Sequence, residues 1–166
     1  MRLSKNFTLK ELINSQTATR KGINNNPSED QIEALQKVCE NILQPIRDNY
    51  ATPVTVSSGF RSAQLCIAVG SSVKSQHASG QAADFEIFGV SNQELAHYID
   101  KNLDYDQLIL EYWNPEEKNS GWVHCSFKNN KDNRKQFLRA YRDEDGKTKY
   151  EKYSYLTFAP PKEQHN

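Results

Sequence analysis

Paired cysteines, an excess of one charge and long apolar runs are all missing from this 166-residue chain. Its cysteines are Cys39, Cys66 and Cys125, and their odd number and wide spacing provide neither a disulfide framework nor a Cys-x-x-Cys zinc site. We interpret them as buried thiols of a protein made in a reducing compartment. Basic and acidic residues number 21 each, so no basic excess indicates binding to nucleic acid.

No apolar run approaches the length of a transmembrane helix, so we expect no membrane insertion. The first residues, Met1 to Phe7, lack the apolar core of a signal peptide, and we expect synthesis in the cytoplasm. A substrate outside the cytoplasm would then require release or delivery of the protein by other means. We further expect a monomer.

The chain is long enough for one hydrophobic core, and no linker, repeat or low-complexity segment divides it. We therefore assign a single domain to residues 1–156. The remaining residues, 157–166, include Pro160 and Pro161 and are predicted to form a mobile tail.

Helices and strands are predicted in an order that does not alternate regularly. Capping signals and a helical apolar period predict helices over residues 7–15, 29–48 and 92–102. Apolar and β-branched runs predict strands over residues 54–56, 82–88, 105–112, 122–127, 136–142 and 148–154. Residues 16–27 are predicted to be a loop. This order favours an α+β fold in which helices pack on a small antiparallel sheet.

The stretch from Ser75 to Asp84 carries the first chemical signal. His77 is followed by Gly80 and then by Asp84, which opens an apolar run. Histidine nitrogen and carboxylate oxygen are ligands of catalytic zinc sites, which use three protein ligands and leave a position for water. His124, on a later predicted strand, supplies a third ligand. Spacing alone is weak evidence, because a lone histidine on a strand is more often structural.

Three motifs together resemble a known family. They are Ser58-Gly-Phe-Arg61-Ser, Ser75-x-His77-x-x-Gly80-x-Ala82-x-Asp84 and Trp122-x-His124. In this order they are similar to peptidase family M15, which contains zinc D-alanyl-D-alanine carboxypeptidases and peptidoglycan endopeptidases. The segments Phe7-Thr-Leu-x-Glu-Leu and Asp106-Gln-Leu-Ile…Glu111 resemble its short phage-type branch. The resemblance implies the α+β fold that this family shares with the signalling domain of hedgehog proteins.

The resemblance also implies a zinc cofactor, held by His77, Asp84 and His124. A carboxylate must take a proton from the attacking water and pass it to the leaving amine. In much of the family this is a glutamate three residues before the last histidine ligand, where this chain has Gly121. We predict that Glu111 replaces it, provided that the strand register puts Glu111 and His124 on one face.

Other acidic and basic residues have two interpretations each. Glu116 and Glu117 are weaker candidates for the base, because loop glutamates are usually solvated. Arg61 is predicted to grip a substrate carboxylate or stabilise the oxyanion, the alternative being a structural salt bridge.

The remaining residues of the motifs are also assigned functional or structural roles. Ser75 binds the substrate backbone or shapes its loop, and Trp122 lines the cleft or packs. Gly80 is predicted to adopt a backbone conformation that other residues resist. His97 and His165 lie outside the motifs and are predicted to be surface residues.

The sequence therefore predicts a zinc metallopeptidase that hydrolyses peptidoglycan stem peptides. It leaves open whether the enzyme is a D-alanine carboxypeptidase or an endolysin-type endopeptidase. We expect it to act on the cell wall after release or as part of a phage particle. The alternative is a non-catalytic zinc-containing binding module or virion structural domain of the same fold, and Gly121 in the usual base position keeps this alternative open.

Overall fold

A sheet of six strands organises the fold in a computed structural model that describes residues 1–158. The helices are α1 Leu9–Ile13, α2 Gln16–Lys21, α3 Glu29–Val38, α4 Gln44–Tyr50, α5 Ala63–Ala68 and α6 Asn92–Asn102. The strands are β1 Arg2–Ser4, β2 Phe7–Thr8, β3 Thr55–Ser58, β4 Ala82–Glu86, β5 Gln107–Glu111, β6 Trp122–Ser126, β7 Gln136–Arg142 and β8 Thr148–Lys152. Strands β1 and β2 pair with each other outside the main sheet.

The main sheet has the strand order β3-β4-β6-β5-β7-β8. Neighbouring strands are antiparallel except β5 and β7, which are parallel. The predicted α+β class is confirmed, but the prediction of a small antiparallel sheet is wrong. Strand β7 follows β6 in the chain and crosses over to pair with β5, and local sequence patterns do not specify such a crossover.

The two faces of the sheet have different roles. Ala83, Phe85, Val123 and Cys125 point into the hydrophobic core against the helices. Because side chains alternate along a strand, the residues between them point to the opposite face. Asp84 on β4 is one of these, so the chemical motifs lie on the face of the sheet that the core does not use.

Three helical predictions differ from the structure. The helix predicted over residues 7–15 covers only Leu9–Ile13, because Phe7 and Thr8 form β2. Residues 16–21 were predicted as loop but form α2, whose N-cap Ser15 accepts a hydrogen bond of 3.1 Å from the Ala18 N–H. The predicted helix over 29–48 is interrupted by a π-helical segment, Cys39–Leu43. Pro45 follows this segment within continuous helical backbone, and a proline without an N–H, at a π-helical segment, is a recognised cause of such a local irregularity. No helix within residues 1–158 is long and apolar enough to cross a membrane.

Part of the predicted tail can be placed. Phe158 packs edge-on against Trp113, with ring centres 5.2 Å apart. The other predicted tail residues, 159–166, lie outside the described part of the chain, and so does His165. The mobility of the tail stays a prediction.

His97 is buried, and its predicted position at the surface is wrong. Only 5% of its surface is exposed, and its Nε2 lies 2.7 Å from the Tyr153 hydroxyl. Burial lowers the pKa of His97 to about 4, with Lys101 adding to the effect and Asp100 opposing it. Tyr153 follows β8 and is 56 residues away in the chain, so the local sequence around α6 does not reveal this contact.

The folded state is expected to lose stability as the pH falls from 6.5 to about 4, the range between the ordinary and the lowered pKa of His97. In this range the unfolded chain binds a proton that the buried imidazole does not. The expected loss is about 2–3 kcal/mol, and the full contribution of the neutral imidazole returns above pH 6.5. Urea unfolding at several pH values, compared between the wild type and His97→Gln, measures it. The same pH dependence in both proteins would contradict this explanation.

Candidate metal centre

Two neighbouring strands and one loop bring three potential ligands together. Asp84 on β4 and His124 on β6 are directly opposite in the antiparallel register, so their side chains lie side by side. His77 belongs to the loop before β4. Its Nδ1 lies 2.7 Å from the Gly59 carbonyl oxygen. Because a carbonyl only accepts, Nδ1 carries a proton, and Nε2 is the ring nitrogen that faces Asp84.

The three side chains form one compact cluster. Asp84 Oδ1 lies 3.3 Å from His77 Nε2 and 3.0 Å from His124 Nδ1. One potential ligand atom from each residue lies within 4.8 Å of the other two. All three residues are buried, with exposed fractions of 3% for His77, 6% for Asp84 and 8% for His124. This geometry can hold a metal ion.

Charge reinforces the arrangement around Asp84. Burial by itself would raise the pKa of this carboxyl, but the charges and hydrogen bonds of His77 and His124 hold it well below its usual range. Arg61 Nη2 lies 3.3 Å from Asp84 Oδ2, the oxygen that faces away from the histidines. The salt bridge considered as the structural alternative for Arg61 is therefore present. It also turns Oδ1 toward the two imidazoles.

Glu111 lies on the same face of the sheet as the cluster. Ile109 is opposite His124 in the register between β5 and β6, and Glu111 is opposite Trp122. Since side chains two residues apart share a face, Glu111 lies diagonally from His124. Both residues line an open cleft of about 600 Å³ together with His77, Asp84 and Arg61. The register condition that we placed on Glu111 is met.

Burial raises the pKa of Glu111 above its ordinary value. His124 opposes this shift, Asp84 adds to it, and Arg61 opposes it. A partly buried carboxylate with a raised pKa binds a proton more readily than a solvated one. Glu116 and Glu117, by contrast, are exposed loop residues. Neither is among the described residues that line the cleft.

The backbone at Gly121 leaves no room for a side chain. Gly121 has φ +66°, and a Cβ atom added there would lie 1.9 Å from the Glu111 carbonyl oxygen. The end of β5 and the start of β6 approach so closely that only glycine fits. A glutamate is thus sterically excluded from the usual position, and the same contact holds the backbone of Glu111.

Gly121→Ala is expected to destabilise the fold by about 3 kcal/mol or more, because it combines an unfavourable φ with a steric clash. The matched control is Gly146→Ala, where φ is +75° but nothing lies within 4 Å of the added Cβ. That control is expected to cost about 1–2 kcal/mol, the conformational penalty alone. Urea unfolding measures both values, and equal losses would contradict the close backbone approach.

The other residues of the motifs have identifiable contacts. The Ser75 hydroxyl accepts a hydrogen bond of 3.2 Å from the His77 N–H, so it shapes the loop that carries the ligand. Trp122 is half-buried and lines the cleft beside Tyr112, with ring centres 5.5 Å apart. Gly80 has φ +77°, and a Cβ there would lie 2.5 Å from the Gln31 carbonyl oxygen. The backbone requirement predicted for Gly80 is therefore present.

Asp106 is a supporting residue to which the sequence assigned no role. It is fully buried, and both of its oxygens lie 2.9 Å from guanidinium nitrogens of Arg134. The Arg134 backbone N–H and Gln76, the residue before His77, each donate a further hydrogen bond of 2.9 Å. Burial raises the pKa of Asp106, but these hydrogen bonds outweigh it and hold the pKa at about 2. The network anchors the His77 loop to the start of β5.

Tyr150 also reaches the cleft, which the sequence did not predict. On the sheet, Trp122, Glu111, Ala140 and Tyr150 form one row across β6, β5, β7 and β8. Ala140 is fully buried, and Glu111 and Tyr150 on either side of it line the cleft. The sequence predicted the β7–β8 hairpin that contains Tyr150. It did not predict that β7 pairs with β5, and this pairing is what brings Tyr150 to the cleft.

The comparison with known families agrees with this site. The family model described as Peptidase M15 matches residues 5–126 of the chain. The matched range includes the three potential ligands and Glu111, and it ends at the last residue of β6. None of the curated proteins that were compared matches the chain.

Proposed function

The chain belongs to the peptidase M15 family, and on this premise we propose that it is a zinc metallopeptidase that hydrolyses stem peptides of peptidoglycan. One observation carries the proposal. The buried cluster of His77, Asp84 and His124 opens onto a cleft that also contains Glu111. Structural zinc sites are closed by four protein ligands, whereas catalytic sites use three and remain accessible.

The donor set fits zinc, and His77, Asp84 and His124 would hold it. Two imidazole nitrogens and one carboxylate oxygen are common ligands of catalytic zinc. Bound zinc supplies Lewis-acid polarisation of the scissile carbonyl and activation of water. The Gly59 carbonyl orients His77, and Arg61 orients Asp84. Such outer contacts fix ligand geometry in metal sites.

In the proposed mechanism, Glu111 moves the proton. Its carboxylate accepts a proton from the water that attacks the scissile carbonyl, and then delivers it to the leaving amine. A raised pKa suits this role, because the group must both accept and release the proton near neutral pH.

Arg61 is proposed to stabilise the negative charge that develops on the scissile carbonyl oxygen. A guanidinium has five N–H donors, and the contact with Asp84 uses Nη2. Other N–H groups therefore remain for the substrate at the cleft wall. Ser75 and Trp122 line the same cleft and are proposed to contact the peptide on either side.

The alternative of a non-catalytic module was based on the missing glutamate at Gly121. The location of Glu111 on the ligand face favours catalysis, because Glu111 on β5 provides the carboxylate that Gly121 cannot provide. The proposed site of action is the cell wall, reached after release or in a phage particle.

Digestion of purified peptidoglycan tests the proposal. Zinc-loaded protein is incubated with the polymer, and the soluble products are identified by mass spectrometry. Release of D-alanine would indicate a carboxypeptidase, and larger peptide fragments would indicate an endopeptidase. The matched control is Glu111→Gln, which is expected to release neither. Wild-type samples that remain identical to this control would refute the proposal.

A further inference from the structure

A second cavity, of about 680 Å³, adjoins the metal cleft. We call it the outer pocket, and its principal walls are formed by Tyr112, Trp113, Trp122, Arg139, Tyr141 and Arg142. Tyr112 and Trp122 line both the outer pocket and the cleft. A ligand bound at the metal centre can therefore continue past these two rings into the outer pocket.

We propose that the outer pocket is a binding subsite for a carboxylate-bearing segment of the substrate, about four residues from the scissile bond. This proposal rests on the proposed peptidase function for the identity of the substrate as a peptide. The subsite itself follows from charge, aromatic surface and distance, which are independent of the chemistry at the metal.

The charge of the outer pocket is positive. Its lining includes two guanidinium groups and no carboxylate among the described residues. Arg139 is already engaged, with Glu151 at 3.2 Å and the Trp113 carbonyl oxygen at 3.3 Å. Arg142 has no carboxylate within 4 Å in the described part of the chain, and its Nη1 donates a long hydrogen bond of 3.4 Å to the Gly146 carbonyl oxygen. Arg142 is therefore the cation available to a ligand.

The aromatic walls hold this cation in place. The Arg142 guanidinium lies 4.7 Å from the centre of the Tyr112 ring. The Tyr112 hydroxyl in turn lies 2.7 Å from Thr148 Oγ1, which fixes the ring. A guanidinium stacked on a fixed ring presents its planar edge to a carboxylate, with less entropy lost on binding than for a lysine.

The distance to the metal centre limits the substrate. Leu138 on β7 is level with His124 in the sheet register, through Ile109 on β5. Arg142 lies four residues further along β7, which corresponds to about 13 Å along a strand. An extended peptide advances about 3.3–3.6 Å per residue, so a substrate that fills both sites must extend about four residues from the cleaved bond.

The outer pocket also depends on β7, which follows the residues that match the family. Arg139, Tyr141 and Arg142 all lie on this strand. The potential metal ligands and Glu111 lie before it. The subsite is thus an addition of this chain to the matched core, and we assign it to substrate selection rather than to the hydrolytic step.

Pairs of synthetic stem peptides test the subsite. The two members of a pair differ only in one side-chain carboxylate, placed four residues from the cleaved bond and either free or converted to the amide. Separate pairs place it on each side of the bond. We expect the zinc-loaded enzyme to prefer the free carboxylate in one pair by about tenfold in kcat/KM, through KM.

The variant Arg142→Gln is expected to lower kcat/KM for the carboxylate peptide to the value for the amide peptide. The matched control is Lys152→Gln, which removes an exposed cation of the same hairpin that does not line the outer pocket. It should keep the preference. An equal loss for both peptides in Arg142→Gln, or no preference in the wild type, would overturn the proposal.

Tryptophan fluorescence supplies a second readout that does not need turnover. The chain has two tryptophans, Trp113 and Trp122, and both line the outer pocket. Titrating Glu111→Gln with the carboxylate peptide should change their emission, and the added substitution Arg142→Gln should weaken this binding. Saturable binding without any cleavage by the wild type would retain the subsite and refute the peptidase. Cleavage with neither preference nor Arg142-dependent binding would refute the subsite and leave the peptidase.

Discussion

Replacing Glu111 by glutamine is expected to lower kcat for peptide hydrolysis by about 10²–10⁴-fold, while the zinc content stays unchanged. Glutamine keeps the size of the side chain but cannot accept a proton from water. Glu111 shares a face with His124 and the other potential ligands but lies outside their cluster, so the substitution leaves the donor set intact. Steady-state kinetics and metal analysis of the same preparation measure both quantities.

The matched control is Glu117→Gln, which removes an exposed carboxylate from the loop between β5 and β6. This variant is expected to keep wild-type activity, because Glu117 does not line the cleft. Full activity in Glu111→Gln together with loss in Glu117→Gln would move the base from the strand to the loop. It would also require the loop to close over the cleft when substrate binds.

Removing zinc with a chelator is expected to abolish hydrolysis and to lower the free energy of unfolding by about 4 kcal/mol, relative to protein with zinc at a thousand times its Kd. The reason is that His77, Asp84 and His124 converge only in the folded state, where a loop, β4 and β6 meet. Thermal unfolding of the metal-free and zinc-loaded proteins measures the stabilisation. Adding zinc back should restore both stability and activity.

Two buried histidines provide a matched pair for this experiment. His77→Gln should lose the zinc-dependent rise in stability, because it removes a ligand from the cluster. His97→Gln should keep it, since that imidazole contacts Tyr153 and lies outside the cluster. A normally folded wild-type protein that binds no zinc would refute the metal centre itself.

Elements with strong local signals were predicted well. Helix α6 has the predicted bounds, 92–102, because the N-cap Ser91 directly precedes the segment, and an apolar period and a charged last turn lie within it. The strands that carry Asp84, Glu111 and His124 were also predicted within a few residues. These signals depend on side chains close together in the chain, so one sequence is sufficient to read them.

Contacts between distant segments were not predictable in the same way. The pairing of β7 with β5 brings Arg142 to the outer pocket and, through β8, Tyr150 to the cleft. The burial of His97 likewise depends on Tyr153, which comes from the far end of the sheet. Strand neighbours are selected by burial and hydrogen bonding over long separations, and an alternating pattern on one strand does not name its partner.

The donor chemistry of the candidate site could be read from the chain, because the identity and order of His77, Asp84 and His124 do not depend on folding. The position of Glu111 could not, since a shift of one residue between β5 and β6 would turn its side chain to the other face. The close contact between Gly121 and the Glu111 carbonyl holds these two strand ends together. The sequence alone showed a glutamate missing from its usual place, whereas packing and register put another carboxylate beside the cluster.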